Sequence, residues 1–528
     1  MKKNGSPPRI LLIFPPVAKP SEPPAGIALL SGALAAYNIG HTLLDANLEG
    51  MLSLLTRPFA PVDTWTRRAY RHLSKNLSSL KSWQPYTNID TYKRAVLDIN
   101  RLLAIAGGER VRISLADYSD ARLSPVKSQN LLYAAQHPSE NPFYAYFSRR
   151  LQQIIERDKT TVVGFSLNYL SQALTTFAMI GFLKQGFPGI TIVLGGSLIT
   201  SWMKDNHREG LFNGLVDHCV AGPGEYQLVA LLHKKPDQET HLAPCYDSLP
   251  LNDYLAPGLI LPYRCSIGCY WGKCSFCPDR AAGGGPDQRV TFGLAKGTSY
   301  SPISPEKAAI ELCNLVAKWK PALCHLVDNA VSPAFMQAIA KHPPGAPWYG
   351  FARITPQLTD PAFCMALRRS GCVMLKLGLE SGDQGVLDAL HKGIDLETVS
   401  SALQTLKNAG IATYIYLLFG TPAETRLEAR HTLDFVADHA EEIRFLNTAI
   451  FNLPINSPEA AGLETAGFYE GDLSLYTDFQ HPRGWARRLV RGFLDTEFRR
   501  HPAIRPILNN HPPLFTSNHA PFFALNRS

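Results

Sequence analysis

The sequence predicts a two-part α/β protein: a doubly wound parallel, Rossmann-like sheet followed by a partial (β/α)6, TIM-like barrel. Three observations predict it. Short apolar stretches alternate with helical ones over residues 9–50 and again over 158–235. Glycine-bearing turns close several of those strands: Gly164-Phe165-Ser166, Gly195-Gly196-Ser197 and Gly222-Pro223-Gly224-Glu225. A second alternating series, with six strands, runs from 259 to 451. Strand, glycine turn and helix in repetition mark parallel α/β architectures.

The elements follow in order. Residues 9–14 form an apolar strand, 15–24 a proline-rich loop, 26–37 an apolar helix and 41–45 a second strand. Residues from 51 to about 157, rich in Arg, Leu and Tyr, break the rhythm and read as a helical or irregular insertion. Strands resume at 161–167, 191–194 and 216–221, with a helix over 171–185. Residues 1–238 thus make one domain, and 239–257 a proline-bearing linker. The second domain, 258–460, has strands at 259–264, 323–327, 349–354, 373–379, 413–419 and 444–451. Its helices lie at 305–318, 333–341, 361–370, 396–408 and 426–440. Residues 461–528 form a polar, aromatic, proline-rich extension with a basic stretch at 483–500.

Length and composition bound the reading. With 528 residues the soft prior is about three domains. Hydrophobic residues are 45% and charged residues 18%, which excludes a disordered chain or a small disulfide scaffold. No apolar run approaches the ~18 residues of a spanning helix. The apolar run at 10–14 is too short for a secretory signal, so the expectation is a cytoplasmic protein without a transmembrane segment. A net charge of +8 over this length permits an acidic substrate, an anionic surface or RNA and demands none.

The ten cysteines say more. Four fall within thirteen residues, Cys265-Ser266-Ile267-Gly268-Cys269-Tyr270-Trp271-Gly272-Lys273-Cys274-Ser275-Phe276-Cys277, just after the first strand of the second series. In a chain without a secretory signal, such a cluster points to metal before disulfide. Thiolates suit both iron–sulfur clusters and zinc. Four ligands would close a structural site, whereas three leave an open metal position. Cys274 and Cys277 form a secure pair. The third ligand is Cys269 or, as the alternative, Cys265. Gly268 favours Cys269, because it lets the chain turn tightly, and Phe276 is placed to shield the metal. A zinc knuckle remains the simpler alternative, although the second Cys-x-x-Cys pair of a zinc ribbon is missing.

This loop and the sequence after it resemble the radical S-adenosylmethionine superfamily, whose usual motif is Cys-x-x-x-Cys-x-aromatic-Cys. Here the first gap is one residue longer, with Cys265 as an additional cysteine. Further stretches match in order over roughly 250–460: Val327-Asp328-Asn329-Ala330, Gly350-Phe351-Ala352-Arg353, Gly378-Leu379-Glu380-Ser381-Gly382 followed by Lys392-Gly393, and Phe419-Gly420-Thr421-Pro422-Ala423-Glu424-Thr425. They sit at or near C-terminal strand ends, where parallel barrels carry their sites. The resemblance implies a 4Fe-4S cluster on Cys269, Cys274 and Cys277 with one iron open to S-adenosylmethionine. Reductive cleavage there gives methionine and a 5′-deoxyadenosyl radical. It also implies roles for Glu380 and Ser381 toward the ribose hydroxyls and amino group, for Arg353 toward the methionine carboxylate, and for Gly420 near the adenine.

Residues 9–50 with 158–235 resemble the cobalamin (B12)-binding-like domain that precedes many radical enzymes. The matching pieces are Leu12-Ile13-Phe14-Pro15-Pro16, residues 26–45, and the three glycine turns. The resemblance assigns cofactor contacts to Gly164, Ser166, Gly195, Gly196, Ser197 and Glu225. Small residues at strand ends admit a large ring or a nucleotide tail, and helix N-termini offer N–H groups to phosphate. The Asp-x-His-x-x-Gly motif that brings a histidine to cobalt is missing from 15–24. Asp45-Ala46-Asn47-Leu48-Glu49-Gly50 has its spacing with Asn for His, but follows the second strand. Cobalamin would therefore bind without a lower histidine.

The reading is a cobalamin-dependent radical S-adenosylmethionine enzyme that methylates an unactivated carbon of a small-molecule, lipid or peptide substrate. It would need an external one-electron donor such as a flavodoxin or ferredoxin, and no nucleic-acid partner is expected. The alternatives are a radical enzyme without cobalamin (ring closure, rearrangement, carbon–carbon coupling or sulfur insertion) and a zinc-stabilised binding protein. His325 reads as a strand residue, and the arginine-bearing stretches at 66–150 and 483–500 as solvated helix faces. Tyr476, Asn518 and His519 are candidates for a substrate pocket at the barrel mouth.

Overall fold

The strand Ile-Leu-Leu-Ile-Phe has no polar position because both of its faces are covered. In the computed structural model, which describes residues 9–58, 63–204, 210–237, 242–278, 300–466, 471–512 and 519–524, β1 (Ile10–Phe14) is buried throughout. Ile10, Leu12 and Phe14 enter a core shared with the second half of the chain. Leu11 and Ile13 enter a separate core under the insertion. A strand that alternates between two cores reads as a continuous apolar run. It pairs in parallel with β2 (His41–Asp45) and β3 (Val162–Ser166), with Leu12 opposite both Leu43 and Gly164. With β4 (Thr191–Gly195) and β5 (His218–Val220), the sheet has the order β2-β1-β3-β4-β5, all parallel.

The insertion is mostly helical, as expected, but begins earlier than residue 51. Its first helix is Ala46–Leu55, because the Asp45 side chain accepts from the Leu48 N–H and caps it. An antiparallel hairpin, Val111–Ile113 with Tyr118–Asp120, departs from the expectation. Two three-residue strands are too short to show a period in the sequence.

The second sheet has six parallel strands: β6 (Ile260–Tyr263), β7 (Leu323–Val331), β8 (Trp348–Ala352), β9 (Cys372–Glu380), β10 (Ala412–Phe419) and β11 (Phe445–Ile450), neighbours in chain order. Helices Pro305–Trp319, Pro333–Lys341, Pro361–Ser370, Leu396–Asn408 and Arg426–Asp438 connect them from β6 to β11. Their starts were legible: three open on proline, and Ser332, Asp360, Asp395 and Thr425 cap four of them. β7 runs four residues beyond the expected 327, through an irregularity between Leu326 and Val331.

The linker is packed. Tyr246 and Leu249 belong to the core that spans both sheets, and the Tyr254 hydroxyl donates to Asp45 at 2.7 Å. Residues 238–241 lie outside the described residues. Ala520 and Ala524, near the C-terminus, pack with Ile260, Leu323, Tyr349, Tyr414 and Phe445 in a third core. Because those partners lie at the N-terminal ends of the strands or close to them, this segment closes the end of the sheet opposite the cysteine loop. His519 is fully buried there against Tyr414 and Phe445, with ring centroids at 4.7 and 4.5 Å. It is therefore not at the mouth, and Asn518 lies outside the described residues. Among the described residues no helix is long and apolar enough to cross a membrane.

Candidate active site

The cysteine loop leaves the C-terminal end of β6 and is anchored at three points. The Ser275 N–H donates to Leu390 O at 3.1 Å, the Trp271 indole N–H donates to His391 O at 3.0 Å, and the Glu459 N–H donates to Ser275 O at 3.3 Å. Gly268 has φ +78°, the left-handed turn its sequence position promised. Trp271 lies against Gly393, where a Cβ would sit 2.1 Å from the indole ring, so only glycine fits at that position. The Arg353 guanidinium stacks on Trp271 at 4.3 Å from the ring centroid and points Nη1 at Cys274 Sγ, 4.0 Å away. Its Nη2 donates to Lys392 O.

The four cysteines divide into two environments. Cys269, Cys274 and Cys277 are half-buried on the loop, whereas Cys265 is buried. Burial, and then the Asp328 carboxylate to which the thiol donates, push Cys265 far above the ordinary thiol value. Asp328 also accepts from the Cys265 N–H at 3.1 Å and the Ser266 hydroxyl at 2.5 Å. A metal ligand must be a thiolate, so the Cys265 environment works against ligation. Among the described residues no three His, Cys, Asp or Glu side chains converge on one point. Three half-buried thiols on one loop, with a guanidinium alongside, are donors of the kind that iron–sulfur clusters and zinc both take. Phe276 is half-buried within the same loop.

The other candidates on the six-stranded sheet are placed unequally. Glu380 stands at the end of β9 with φ +73° and pairs with Lys392 at 2.7 Å. Ser381 is fully buried, its hydroxyl bonded to Thr432 at 3.0 Å and accepting from the Asp383 N–H at 3.1 Å. Its polar atoms are spent on the turn and do not face open space. The Gly420 N–H donates to the Glu424 carboxylate, which also accepts from the Trp485 indole at 3.0 Å. Burial raises Glu424 to about 8.

The six candidates on the first sheet come together. Gly164, Ser166, Gly195, Gly196, Ser197 and Glu225 all line one cleft of about 490 Å³ at the C-terminal edge of β1, β3, β4 and β5. Arg264, Ile267 and Pro278, which flank the cysteines, line it too. An ion pair, Arg264 to Glu225 at 2.6 Å, and a hydrogen bond from Lys204 to Pro278 O at 2.7 Å tie the two halves together across it. Asn168, missed in the sequence, bonds both the Ser166 hydroxyl and the Ser197 N–H at 3.0 Å. Asn47 is buried and accepts from the Ala18 N–H at 2.8 Å. It holds the 15–24 loop, so the spacing Asp45 to Gly50 serves packing.

No protein-family model matches the chain. An uncharacterised methyltransferase of Pyrococcus horikoshii is 24% identical over 201 residues, 36% of this chain and 40% of that protein. An anaerobic magnesium-protoporphyrin IX monomethyl ester cyclase of Rubrivivax gelatinosus is 29% identical over 104 residues, 20% of this chain and 19% of that protein. The chain therefore spans less than half the length of these curated relatives. Among solved structures, the cobalamin-dependent S-adenosylmethionine radical enzyme OxsB, with aqua-cobalamin and S-adenosylmethionine bound, aligns with a TM-score of 0.55. The identity is 13%, and the alignment covers 93% of this chain and 67% of that one. The radical S-adenosylmethionine methyltransferase TsrM of Kitasatospora setae, with cobalamin and a 4Fe-4S cluster bound, aligns with a TM-score of 0.50 and 14% identity. That alignment covers 86% of this chain and 74% of that one. The chain is a mixed α/β protein with parallel sheets, similar in fold to these two solved structures.

Proposed function

We propose that this protein is a cobalamin-dependent radical S-adenosylmethionine enzyme that methylates an unactivated carbon. In this reading residues 1–238 are a Rossmann-like cobalamin domain interrupted by the helical insertion, and residues 258–460 a partial (β/α)6 barrel. The 239–257 segment links them, and 461–528 is an extension. The order β2-β1-β3-β4-β5 supports the first assignment, since ligands of such sheets lie beyond the strand C-termini where the order reverses. The observation that carries the reading is the cleft shared by that sheet edge and the cysteine loop.

Cys269, Cys274 and Cys277 would hold the cluster, and Cys265 stays a neutral thiol on Asp328. The bound cofactors supply a methyl group and a radical hydrogen acceptor. The chain's own residues position and shield them. Arg353 offers fixed positive charge beside Cys274, and its remaining N–H groups suit a carboxylate. Glu380, already oriented by Lys392, presents a carboxylate at the strand end to hydroxyl or ammonium donors. Gly164, Gly195 and Gly196 keep the cleft floor free of side chains, and Ser166 and Ser197, fixed by Asn168, offer hydroxyls at its edge. No side chain in the 15–24 loop is a histidine, so that loop would offer no imidazole to a bound cobalamin.

Anaerobic purification with iron, sulfide and corrinoid analysis tests this, followed by S-adenosylmethionine with dithionite. The expected result is four iron atoms per chain, a bound corrinoid and release of 5′-deoxyadenosine. Zinc without a brown chromophore would overturn the reading. A cluster with deoxyadenosine release but no corrinoid would replace it with a radical enzyme of another kind.

A further inference from the structure

A second polar site lies inside the six-stranded sheet. Lys376, in the middle of β9, is fully buried, and its Nζ lies 4.0 Å from the Phe351 ring centroid. Its hydrogen-bond partner is His325 Nε2, at 3.4 Å. The opposite ring nitrogen of His325, Nδ1, faces Glu22 at 2.9 Å, and the imidazole stacks on Tyr349 at 4.4 Å. Glu22 and Lys19 come from the proline-rich 15–24 loop, so the first domain supplies two charges to the interior of the second. Lys19 lies within electrostatic reach of Glu22, His325 and Lys376, and no hydrogen bond among the described residues engages its ammonium. The Tyr349 hydroxyl is buried without a partner.

The charges do not balance. Burial keeps His325 neutral, and the neutral ring donates from Nδ1 to Glu22 while Nε2 accepts from Lys376. Burial opposes the charge of Glu22, but His325, Lys19 and Lys376 outweigh it and hold the carboxylate low. Two lysine amines thus face one carboxylate, and burial works against the charge of both. An ammonium carries three donors, and the protein leaves most of them unused here. Buried unpaired charge is costly unless a counter-ion arrives. Burial and the neighbouring Lys19 bring Lys376 down to about 7.

The residues above this cluster are only partly covered. Glu22 keeps 22% of its side-chain surface open although it sits deep in the fold, and Val327, Phe351 and Tyr416 are likewise partly open along the strands above. Tyr169 is 53% exposed on the same side. Aromatic walls above a cationic floor fit an apolar or planar body that ends in one negative charge.

We propose that the interior of the six-stranded sheet binds the substrate by a carboxylate held between Lys376 and Lys19, with Glu22 and His325 fixing Lys376. This rests on the radical-enzyme reading and names its substrate class: an organic monocarboxylate with an aromatic or apolar body. Glu380 at the rim lies four positions beyond Lys376, about 13 Å along the strand. The reacting carbon therefore lies on the order of 10 Å from the carboxylate.

The test uses the full chain with its cluster reconstituted, and calorimetric titration with naphthalene-1-acetate and its neutral amide. The acid binds saturably and the amide at least tenfold more weakly. Lys376→Met weakens the acid at least tenfold, and Lys19→Met weakens it severalfold. Lys19→Met, on a half-buried loop, carries the test alone if Lys376→Met does not fold. Above about pH 7 the affinity for the acid falls by up to tenfold per unit as Lys376 loses its proton. Equal binding of acid and amide, or unchanged binding in both lysine variants, overturns the proposal. Inorganic phosphate binding where the acid does not would assign the site to phosphate and overturn the carboxylate. Cys277→Ala abolishes deoxyadenosine release yet leaves acid binding intact, so the two readings fail separately.

Discussion

Replacing Gly393 by alanine should unseat the cysteine loop without unfolding the protein. The added Cβ would lie 2.1 Å from the Trp271 ring, against a contact distance of about 3.5 Å, so the indole moves on the order of 1.5 Å. Alanine also pays about 1–2 kcal/mol for the left-handed backbone at φ +63°. The displaced indole gives up its hydrogen bond to His391 O, about 0.5–1.5 kcal/mol, and its stacking on Arg353, about 0.5–2 kcal/mol. The lost hydrogen bond and stacking together come to about 1–3.5 kcal/mol against the seated loop, a factor of roughly five to a few hundred in its population, while the backbone cost weighs on the fold as a whole. The assay is iron and sulfide per chain after anaerobic reconstitution, with thermal unfolding by circular dichroism as the control. Iron retention should fall severalfold, while the unfolding midpoint changes by no more than about 4–8 °C, because the strands and their cores are untouched. A Gly393→Ala protein with a full complement of iron and unchanged S-adenosylmethionine cleavage would refute the clamp.

Three further outcomes are expected. Cys265→Ala keeps the cluster and loses about 1–2 kcal/mol of stability from the buried site, whereas Cys269→Ala, Cys274→Ala and Cys277→Ala each lose the cluster; the chromophore after reconstitution reads both. Glu225→Gln breaks the Arg264 ion pair across the cleft, and partial exposure of Arg264 limits the loss of stability to about 1 kcal/mol; corrinoid retention on gel filtration should drop with it. Asp45 is raised to about 6 by burial, so its folded form keeps a proton that the unfolded form releases nearer 4. Stability therefore falls as pH rises from about 4 to about 6, by up to about 3 kcal/mol. Asp45→Asn, which retains a capping oxygen, should flatten that slope in urea unfolding at stepped pH.

The β/α alternation was legible because parallel strands buried on both faces leave apolar runs, and the helices between them announce their starts. The helix over Pro333–Lys341 begins behind Ser332 and opens on proline, and the sequence placed it to the residue. The cysteine loop was equally legible, since thiol spacing is a local property. The three glycine turns were local too, and the six residues singled out on them line one cleft. The choice between Cys265 and Cys269 was not local. What separates their environments is Asp328, sixty-three residues away, whose carboxylate accepts hydrogen bonds from the N–H and the thiol of Cys265.

What the sequence determined by itself was therefore the order of elements, the cysteine-rich loop and the small residues at strand ends, all carried by neighbours within a few positions. Only the tertiary structure decided which groups share a space. Glu22 stands 303 residues from His325 and Lys376 a further 51 beyond, and each alone reads as an ordinary loop or strand residue. Their meeting in one interior follows from a loop of the first sheet entering the second. Coulombic and desolvation effects act through that space and leave no periodicity along the chain.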